Sequence, residues 1–535
     1  MSTDTMTGTL VRSESTTIER LGAVLTVLAA LTIALSILGL FAVLPVSTTV
    51  AGVAVSTLLG VGLLAVGLGV VAAGIGSQTG LLDADPNRHG SPTDGVLVGV
   101  VWLVTVGLIA AHTVGTALWP ILALVGGLLA AAGATVLRED VGVPVVGGGF
   151  VAFAGGALAT GTIGPGWTFA PSGFSVTLTG TVGVPLIAFG GGLLGVWTAA
   201  RVAGGFGSRG RQNGAYALIG ANALGMLSLL AALVGFIVSK GFGPATDGIR
   251  YGIFWQPQFW FEAPIIDEYV ILHGPELWFH WPFVMNGYTQ LSEAINGVFP
   301  ALVGTVWLVV GTIVFAVPLG VGAAVFLTEY AGQSRLTGLI DVATNGLWST
   351  PSIVFGLFGL AFLVPRLGGQ PSLLAGQLVL AFMLLPVVVI TTREALLAVP
   401  DEYRDASAAL GVSKWETIRS VVVPAAMPGI ITGVILGVGR IAGETAPILL
   451  VLGGQPFPRS APDVFSLTGS FPFVELSLVQ RASALPYQLY AVISGGVGDD
   501  AGFAWGTAFI LLLVVLSFYA IGIASRAFFR RKLNQ

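Results

Sequence analysis

Runs of apolar residues long enough to cross a bilayer recur twelve times along the chain, with most polar and charged residues between them. A spanning helix needs about 20 predominantly apolar residues. Segments at roughly 21–44, 50–76, 95–115, 117–137, 143–164, 181–200, 214–239, 298–327, 338–364, 372–398, 426–452 and 503–525 meet that length. The pattern predicts an all-α integral membrane protein of about twelve transmembrane helices. Gly and Pro crowd the fourth to sixth segments, so their ends are the least fixed. Residues 1–20 are polar and form an N-terminal segment. The run behind them is too long for the apolar region of a signal peptide and lacks a clean small-residue cleavage site, so it reads as the first span.

The loops supply direction and division. With the N-terminus in the cytoplasm, 16 Lys and Arg fall in cytoplasmic segments, 5 in external ones, and Arg440 inside a span. That asymmetry is the positive-inside pattern, and it places both termini in the cytoplasm. Before residue 214 the loops are short and the spans are bland runs of Ala, Val, Leu and Gly. The basic, glycine-rich stretch GSRGRQNG, Gly207–Gly214, reads as a linker, placed at 207–213. It separates a six-helix N-terminal extension at 21–206 from a six-helix unit at 214–530. The second unit has long external segments at 240–297 and 453–502 and a cytoplasmic loop at 399–428.

Composition agrees and closes off alternatives. Of 535 residues only 9% are charged and 54% are hydrophobic, with mean hydropathy +0.91. A soluble domain carries roughly 25% charged residues, so the solvent here is largely lipid. The 77 glycines suit close helix approach in a membrane. With no cysteine, disulfides, thiolate metal sites and cysteine nucleophiles are excluded. The four histidines lack the spacing of a metal site on one helix, and no metal is expected. The net charge of −4 says little about partners, and no nucleic-acid partner is expected.

The cytoplasmic loop carries the densest local signals. Pro400, Asp401 and Glu402 form a helix start with acidic residues in the first turn. Residues 402–410 favour helix, and Gly411 supplies a C-terminal stop. Ser413 can cap a second helix with Glu416 as its capping-box partner. Pro424 and Pro428 are expected to end that helix at the membrane surface. The result is a helix–glycine–helix elbow, or simply an amphipathic loop between two spans.

Two spans carry chemistry of their own. Arg440 and Glu444 are four residues apart, so on one helix they share a face and can pair. Arginine at the centre of a span costs roughly 2.5–3.5 kcal/mol, so such a charge faces a partner or a pathway. A buried pair that only fixes helix packing is the alternative. Pro351 either breaks its helix and frees backbone groups toward a cavity or merely kinks it. Thr350 and Ser352 place hydroxyls beside it.

The loop resembles the coupling loop of ABC importer permeases, whose pattern is Glu-Ala-Ala, three residues, Gly, nine residues, Ile, one residue, Leu-Pro. Asp405-Ala406-Ser407, Gly411, Val421 and Val423-Pro424 fill those positions, with Asp for Glu, Ser for the second Ala, and Val for Ile and Leu. The resemblance implies that the elbow docks on an ATPase subunit, through Asp405, Ala406, Gly411 and Pro424 and more loosely Glu402 and Arg404. The run RIAGETAP, from Arg440 through Glu444 and Thr445 to Pro447, resembles the inner permease of the phosphate-specific importer, the PstA type. Gly304-Thr305, Pro318-Leu319-Gly320, Glu329-Tyr330-Ala331 and the run TPSIVFGL at 350–357 extend the likeness across about 214–530. It implies the type I ABC importer permease fold for the last six helices. It also implies a translocation pathway lined by Arg440, Glu444, Thr445, Thr350, Pro351 and Ser352.

On that resemblance the chain is a non-catalytic permease subunit importing phosphate. No Walker A sequence occurs, so ATP is hydrolysed by a separate partner and no cofactor is bound by this chain. The partners implied are ABC ATPase subunits, a second permease of the PstC type, an external phosphate-binding protein and membrane lipid. A permease for another oxyanion is the alternative. A secondary transporter or intramembrane enzyme is a third class, although the spans show no proton-relay pair, metal set or serine–histidine constellation. In the external segment, Trp255, Trp260, Trp278 and Trp281 suit the lipid headgroup level or a platform for an external binding protein. Its acidic residues Glu262, Asp267, Glu268 and Glu276 argue against its gathering phosphate. The N-terminal helices show almost no charge within the spans, which leaves a scaffold role as the default.

Overall fold

The computed structural model describes residues 16–533 apart from 115–117, 171–174, 176, 264–267, 289–295, 332–334, 454, 459, 468–473 and 496–500. Arg12, Asp267 and Arg459 therefore lie outside the described residues. Among those described, eleven helices are long and apolar enough to span a membrane, or twelve if one sharply bent pair counts as a span. The chain divides into two units, Met1–Phe236 and Ile237–Gln535.

The first unit contains α1 (Thr17–Leu40), α2 (Val55–Gln78), α3 (Pro92–Thr113), α4 (Trp119–Val136), α5 (Glu139–Ala159) and α6 (Gly180–Ala203). Helix α1 starts four residues earlier than hydropathy alone suggests. The Thr16 hydroxyl accepts from the Glu19 N–H at 3.4 Å, and the Glu19 carboxylate accepts from the Thr16 N–H at 3.2 Å. This capping box satisfies donors that the helix start would otherwise leave open. Short hairpins, β1–β2 (Thr49–Val50, Val53–Ala54) and β3–β4 (Thr168–Phe169, Leu178–Thr179), close two of the turns.

Helices pair through small residues. A Cβ on Gly60 would sit 2.3 Å from the Ala159 nitrogen, and one on Gly67 would sit 2.2 Å from the Ala152 nitrogen. Helices α2 and α5 thus touch backbone to backbone, the contact that drives association where lipid supplies no hydrophobic force.

This unit also holds an ion cluster at the helix ends, outside the apolar spans. Arg201, in the last turn of α6, is 1% exposed and pairs with Asp94 and Glu139. Asp94 also accepts from the Ser91 N–H at 3.0 Å, and Glu139 accepts from the side chain and backbone of Asn87 at 2.7 and 3.1 Å. Asp140 is fully buried and accepts from the Ser77 hydroxyl at 2.9 Å. The Arg201 group ties the ends of α3, α5 and α6 together, and the neighbouring Asp140–Ser77 contact adds the end of α2.

The stretch read as a linker at 207–213 is helical. It forms the first two turns of α7 (Gly207–Thr246), a continuous helix of 40 residues. Arg209, Arg211 and Gln212 favour helix enough to offset the glycines. The break lies just before, where Gly205, Phe206 and Gly207 have φ of +67°, +61° and +63°.

In the second unit, α7 is followed by a long hairpin, β5 (Arg250–Ala263) and β6 (Glu268–His280). Trp255 and Trp260 lie on β5 and Trp278 on β6. Then come α8 (Phe299–Tyr330), α9 (Thr337–Ser349), α10 (Ser352–Arg366), α11 (Leu373–Leu397), α12 (Asp401–Ala409) and α13 (Lys414–Ala442). The chain ends with α14 (Ala446–Val451), a small hairpin β7–β8 (Phe465–Leu467, Val474–Leu476), α15 (Leu485–Gly495) and α16 (Ala501–Lys532). Helix α11 is the centre of this unit. Leu373, Leu380, Leu384 and Val388 are buried along it, and α8, α13, α10 and α14 pack around it.

Three expectations change here. The segment 338–364 is two helices bent by 102°, and 426–452 is interrupted at 443–445. Pro424 and Pro428 do not end a helix, because α13 runs through both. A π-helical turn at Ile418–Val422, closed by the Val423 N–H on the Ile418 carbonyl, widens the coil just before Pro424. In an ordinary α-turn that proline ring would clash with the carbonyl of residue 420.

Candidate functional site

The elbow is built from α12 and the start of α13. Pro400 caps α12, and Asp401 and Glu402 occupy its first turn, where carboxylates oppose the positive end of the helix dipole. At the other end the Gly411 N–H donates to the Ala408 carbonyl at 2.9 Å and the Val412 N–H to the Ser407 carbonyl at 3.3 Å. This pair of bonds is the Schellman motif, and it requires the left-handed backbone that Gly411 adopts at φ +71°. Ser413 accepts from the Glu416 N–H at 3.3 Å. The Glu416 carboxylate accepts from Ser420 at 2.7 Å instead of closing the expected box. Inside the turn, the Ser407 and Thr417 hydroxyls meet at 2.7 Å, away from solvent. That contact braces α12 against α13.

Arg404 fastens the elbow to the body. Its guanidinium donates to the Glu329 carboxylate at 2.9 Å, and to the carbonyls of Val399 and Leu396 at 2.9 and 3.1 Å. The carbonyls belong to the C-terminal end of α11, where cations are favoured. The bond to Glu329 raises the Arg404 pKa further above its already high ordinary value, so the clamp stays charged. Lys414 adds a second tie, donating to the Glu329 carbonyl with its ammonium over the Tyr330 ring. Glu329 lies in another π-helical turn, Phe326–Tyr330, at the end of α8. Sequence reading found Glu329 only as part of a motif, because nothing local signals a partner 75 residues away.

The outward side of the elbow is open. Glu402, Asp405 and Ala406 are exposed, as are Tyr403 and Leu410, the latter at 82%. Tyr403, Ala406 and Leu410 follow the spacing of one helical face. Pro424 is half-buried on α13 and does not reach this surface.

The second group of residues sits at two helix breaks. Pro351 (φ −56°, ψ 135°) lies between α9 and α10, so it breaks its helix and does not simply kink it. The Thr350 hydroxyl donates to the Gly346 carbonyl at 2.8 Å, which closes the end of α9. Arg440 is in the last turn of α13, and Glu444 follows the helix end at Gly443. The pair still meets, at 3.5 Å, but across a break and not along a helix. The Arg440 side chain is 42% exposed. Helices α10 and α14 pack closely: a Cβ on Gly356 would lie 2.6 Å from the Pro447 Cα. Ser352 and Thr445 are each within about one turn of that contact, so the two breaks share one neighbourhood.

One further ion pair escaped sequence reading. Arg393, near the end of α11, pairs with Asp341 of α9. It ties one side of the bend to the central helix by charge, between residues that lie 52 apart in the sequence.

A family model described as "Binding-protein-dependent transport system inner membrane component" matches residues 316–534. A probable ABC transporter permease protein, YqgI of Bacillus subtilis, is 36% identical over 250 residues, covering 44% of this chain and 83% of that protein. Phosphate transport system permease protein PstA 1 of Mycobacterium tuberculosis is 35% identical over 265 residues, covering 46% and 81%. The PstA permease of Haemophilus influenzae is 34% identical over 249 residues, covering 46% and 81%. Among solved structures, the inward-facing MetNI methionine ABC transporter matches with 20% identity and TM-score 0.34, covering 44% of this chain and 94% of that one.

Proposed function

The chain belongs to the binding-protein-dependent transport system inner membrane component family, and from that premise we propose that it is the permease subunit of an ATP-driven importer of inorganic phosphate. The observation that carries this reading is the identity of 34–36% to relatives named as phosphate permeases in several organisms. The elbow geometry supports it. A short helix, fixed by Arg404 to the ends of α8 and α11 and exposed on its outer face, can transmit closure of a docked ATPase as a rigid-body push.

In this reading the permease domain is 214–530 and the helices at 21–206 are a scaffold added to it. ATP is hydrolysed by separate ATPase subunits docked on the elbow at Asp405, Ala406 and Gly411. A second permease of the PstC type and an external phosphate-binding protein complete the complex, and this chain has no catalytic role of its own. Both termini face the cytoplasm, as the distribution of Lys and Arg favours. Arg440 attracts the anion and Glu444 tempers that attraction, because a path must bind its ion without trapping it. Thr350, Pro351, Ser352 and Thr445 line the same path.

The test is uptake of radiolabelled phosphate by the reconstituted complex in the presence of excess unlabelled oxyanions. Unlabelled phosphate is expected to abolish the signal while sulfate and molybdate leave it. Equal competition by sulfate or molybdate would overturn the substrate assignment.

A further inference from the structure

The buried Arg201 forms part of the wall of a half-open cavity of about 360 Å³ in the first unit, enclosed by the ends of α3, α6 and α7. A volume of that size falls within the range of small-molecule sites. The three walls change character together. On α3, Thr93 and Asp94 lie in the first turn and Leu97 about one turn further in. On α6, Arg201 is in the last turn and Trp197 about one turn further in. On α7, Arg211 comes first, and Ala215 and Leu218 follow about one and two turns deeper. The cavity is therefore charged and hydroxylic at the span ends and apolar along the spans.

The charges at the rim are not equivalent. Arg201 has two carboxylates, and both oxygens of Asp94 are engaged, one by Arg201 and the other by the Ser91 N–H. Arg211 is half-buried and has no carboxylate partner among the described residues. Arg201 adds an unmet donor. Its Nε is buried without a hydrogen-bond partner, while its guanidinium sits over the Trp197 ring, 5.2 Å from the centroid. A buried donor left open is costly, and an unpaired cation beside it calls for an anion. No carboxylate oxygen at the rim is left over for an ammonium group.

The deeper walls decide between a free anion and a lipid. An inorganic ion gains nothing from Leu97, Trp197 and Leu218, whereas an acyl chain buries apolar surface against them. The walls also continue outward: Val96 and Val100 on α3 are 67% and 55% exposed, and Ile219 on α7 is 65% exposed. On spanning helices those side chains meet the bilayer, so a chain seated in the cavity runs on into it. Basic pockets between spanning helices hold phospholipid headgroups in this way.

We propose that this cavity binds one anionic phospholipid. Its phosphodiester sits on Arg211, the Thr93 hydroxyl and the open Arg201 Nε, and the upper part of one acyl chain lies against Leu97, Trp197 and Leu218. The N-terminus of α3 adds partial positive charge on the same side.

Native mass spectrometry of the full-length protein tests this, with phosphatidylglycerol or phosphatidylcholine added back after delipidation in detergent. The parent should retain one phosphatidylglycerol under activation that strips other lipid, and should hold phosphatidylcholine several-fold more weakly. Arg211→Gln should weaken phosphatidylglycerol binding about tenfold, and Arg211→Lys should restore part of it. Ala215→Phe fills the apolar wall from an exposed helix position, where added bulk is tolerated by the fold. It should weaken binding as much, with the melting transition of the parent. Millimolar inorganic phosphate should leave the bound lipid in place. Displacement by inorganic phosphate would make the cavity a free-anion site and overturn the proposal. Equal retention of the two lipids, or undiminished phosphatidylglycerol binding in Arg211→Gln or Ala215→Phe, would overturn it as well.

Discussion

Two arginines with carboxylate partners, Arg201 at a span end and Arg440 at a helix break, are built in opposite ways. Arg201 is closed in: its side chain is 1% exposed, it meets two carboxylates, and those carboxylates use their remaining oxygens on Asn87 and Ser91. Arg440 is left open: its side chain is 42% exposed, and its one carboxylate stands 3.5 Å away across a broken helix. The closed cluster uses its charges to hold three helix ends together. An open pair in an interrupted span has attraction to spare for something that is not part of the chain. The charge is the same in both places, and the degree of closure is what differs.

The largest expected effect tests the sealed side. Arg201→Leu strands Asp94 and Glu139 without their cation, which costs about 3–5 kcal/mol for a buried pair broken on one side. Thermal unfolding of the detergent-solubilised protein should drop sharply. Replacing Asp94 and Glu139 by Leu in the same variant should recover much of the loss. If the single variant melts like the parent, the cluster is not the clamp described.

Next comes the elbow. Arg404→Ala removes charge-assisted bonds worth roughly 1.5–3 kcal/mol. It should weaken co-purification of the ATPase and lower transport per ATP hydrolysed, with membrane insertion unchanged. Undiminished coupling would separate Arg404 from transmission.

The open pair gives a smaller free energy with a sharper readout. Arg440→Gln should reduce phosphate uptake on the order of tenfold, equivalent to about 1.4 kcal/mol. The melting transition should move far less than in Arg201→Leu, since the Arg440 side chain is 42% exposed against 1% for Arg201. Normal, phosphate-selective uptake would remove Arg440 from the pathway. A large loss of stability would place it with Arg201 and dissolve the contrast.

The smallest effect is expected at Gly411→Ala, which places a Cβ at φ +71° for roughly 1–2 kcal/mol locally. ATPase binding should weaken modestly and uptake should fall in proportion. Gly411→Pro, which also removes the N–H given to Ala408, should abolish docking while insertion persists.

Much of this architecture is legible in the order of residues, and the illegible parts have physical reasons. Length and hydropathy suffice to place the spans because lipid leaves the backbone few alternatives to helix. The turn at Gly411 is legible because only one conformation closes a helix that way. The interruption at 443–445 is not, because Gly-Glu-Thr inside an apolar run is also compatible with a continuous helix. The GSRGRQNG stretch misleads because its glycines suggest a coil, while the strained turn lies at its very start, at Gly205, Phe206 and Gly207. The Arg201 cluster stays hidden for a different reason. Asp94, Glu139 and Arg201 each sit at a span end, where charge is normally solvated, and only packing brings them together. Glu329 and Arg404 are similarly remote in sequence.

The π-helical turn at Ile418–Val422 has one more implication, and it concerns angle. Residues along an α-helix advance by about 100° each, and a π-turn inserts the equivalent of one extra residue. Lys414, which touches Glu329, and Arg440 are on the same helix, on either side of that insertion. The widened turn therefore acts as a phase shifter. It sets the direction in which Arg440 points relative to the elbow, and deleting Ser420 alone would swing that arginine by about 100° without touching any residue of the pathway.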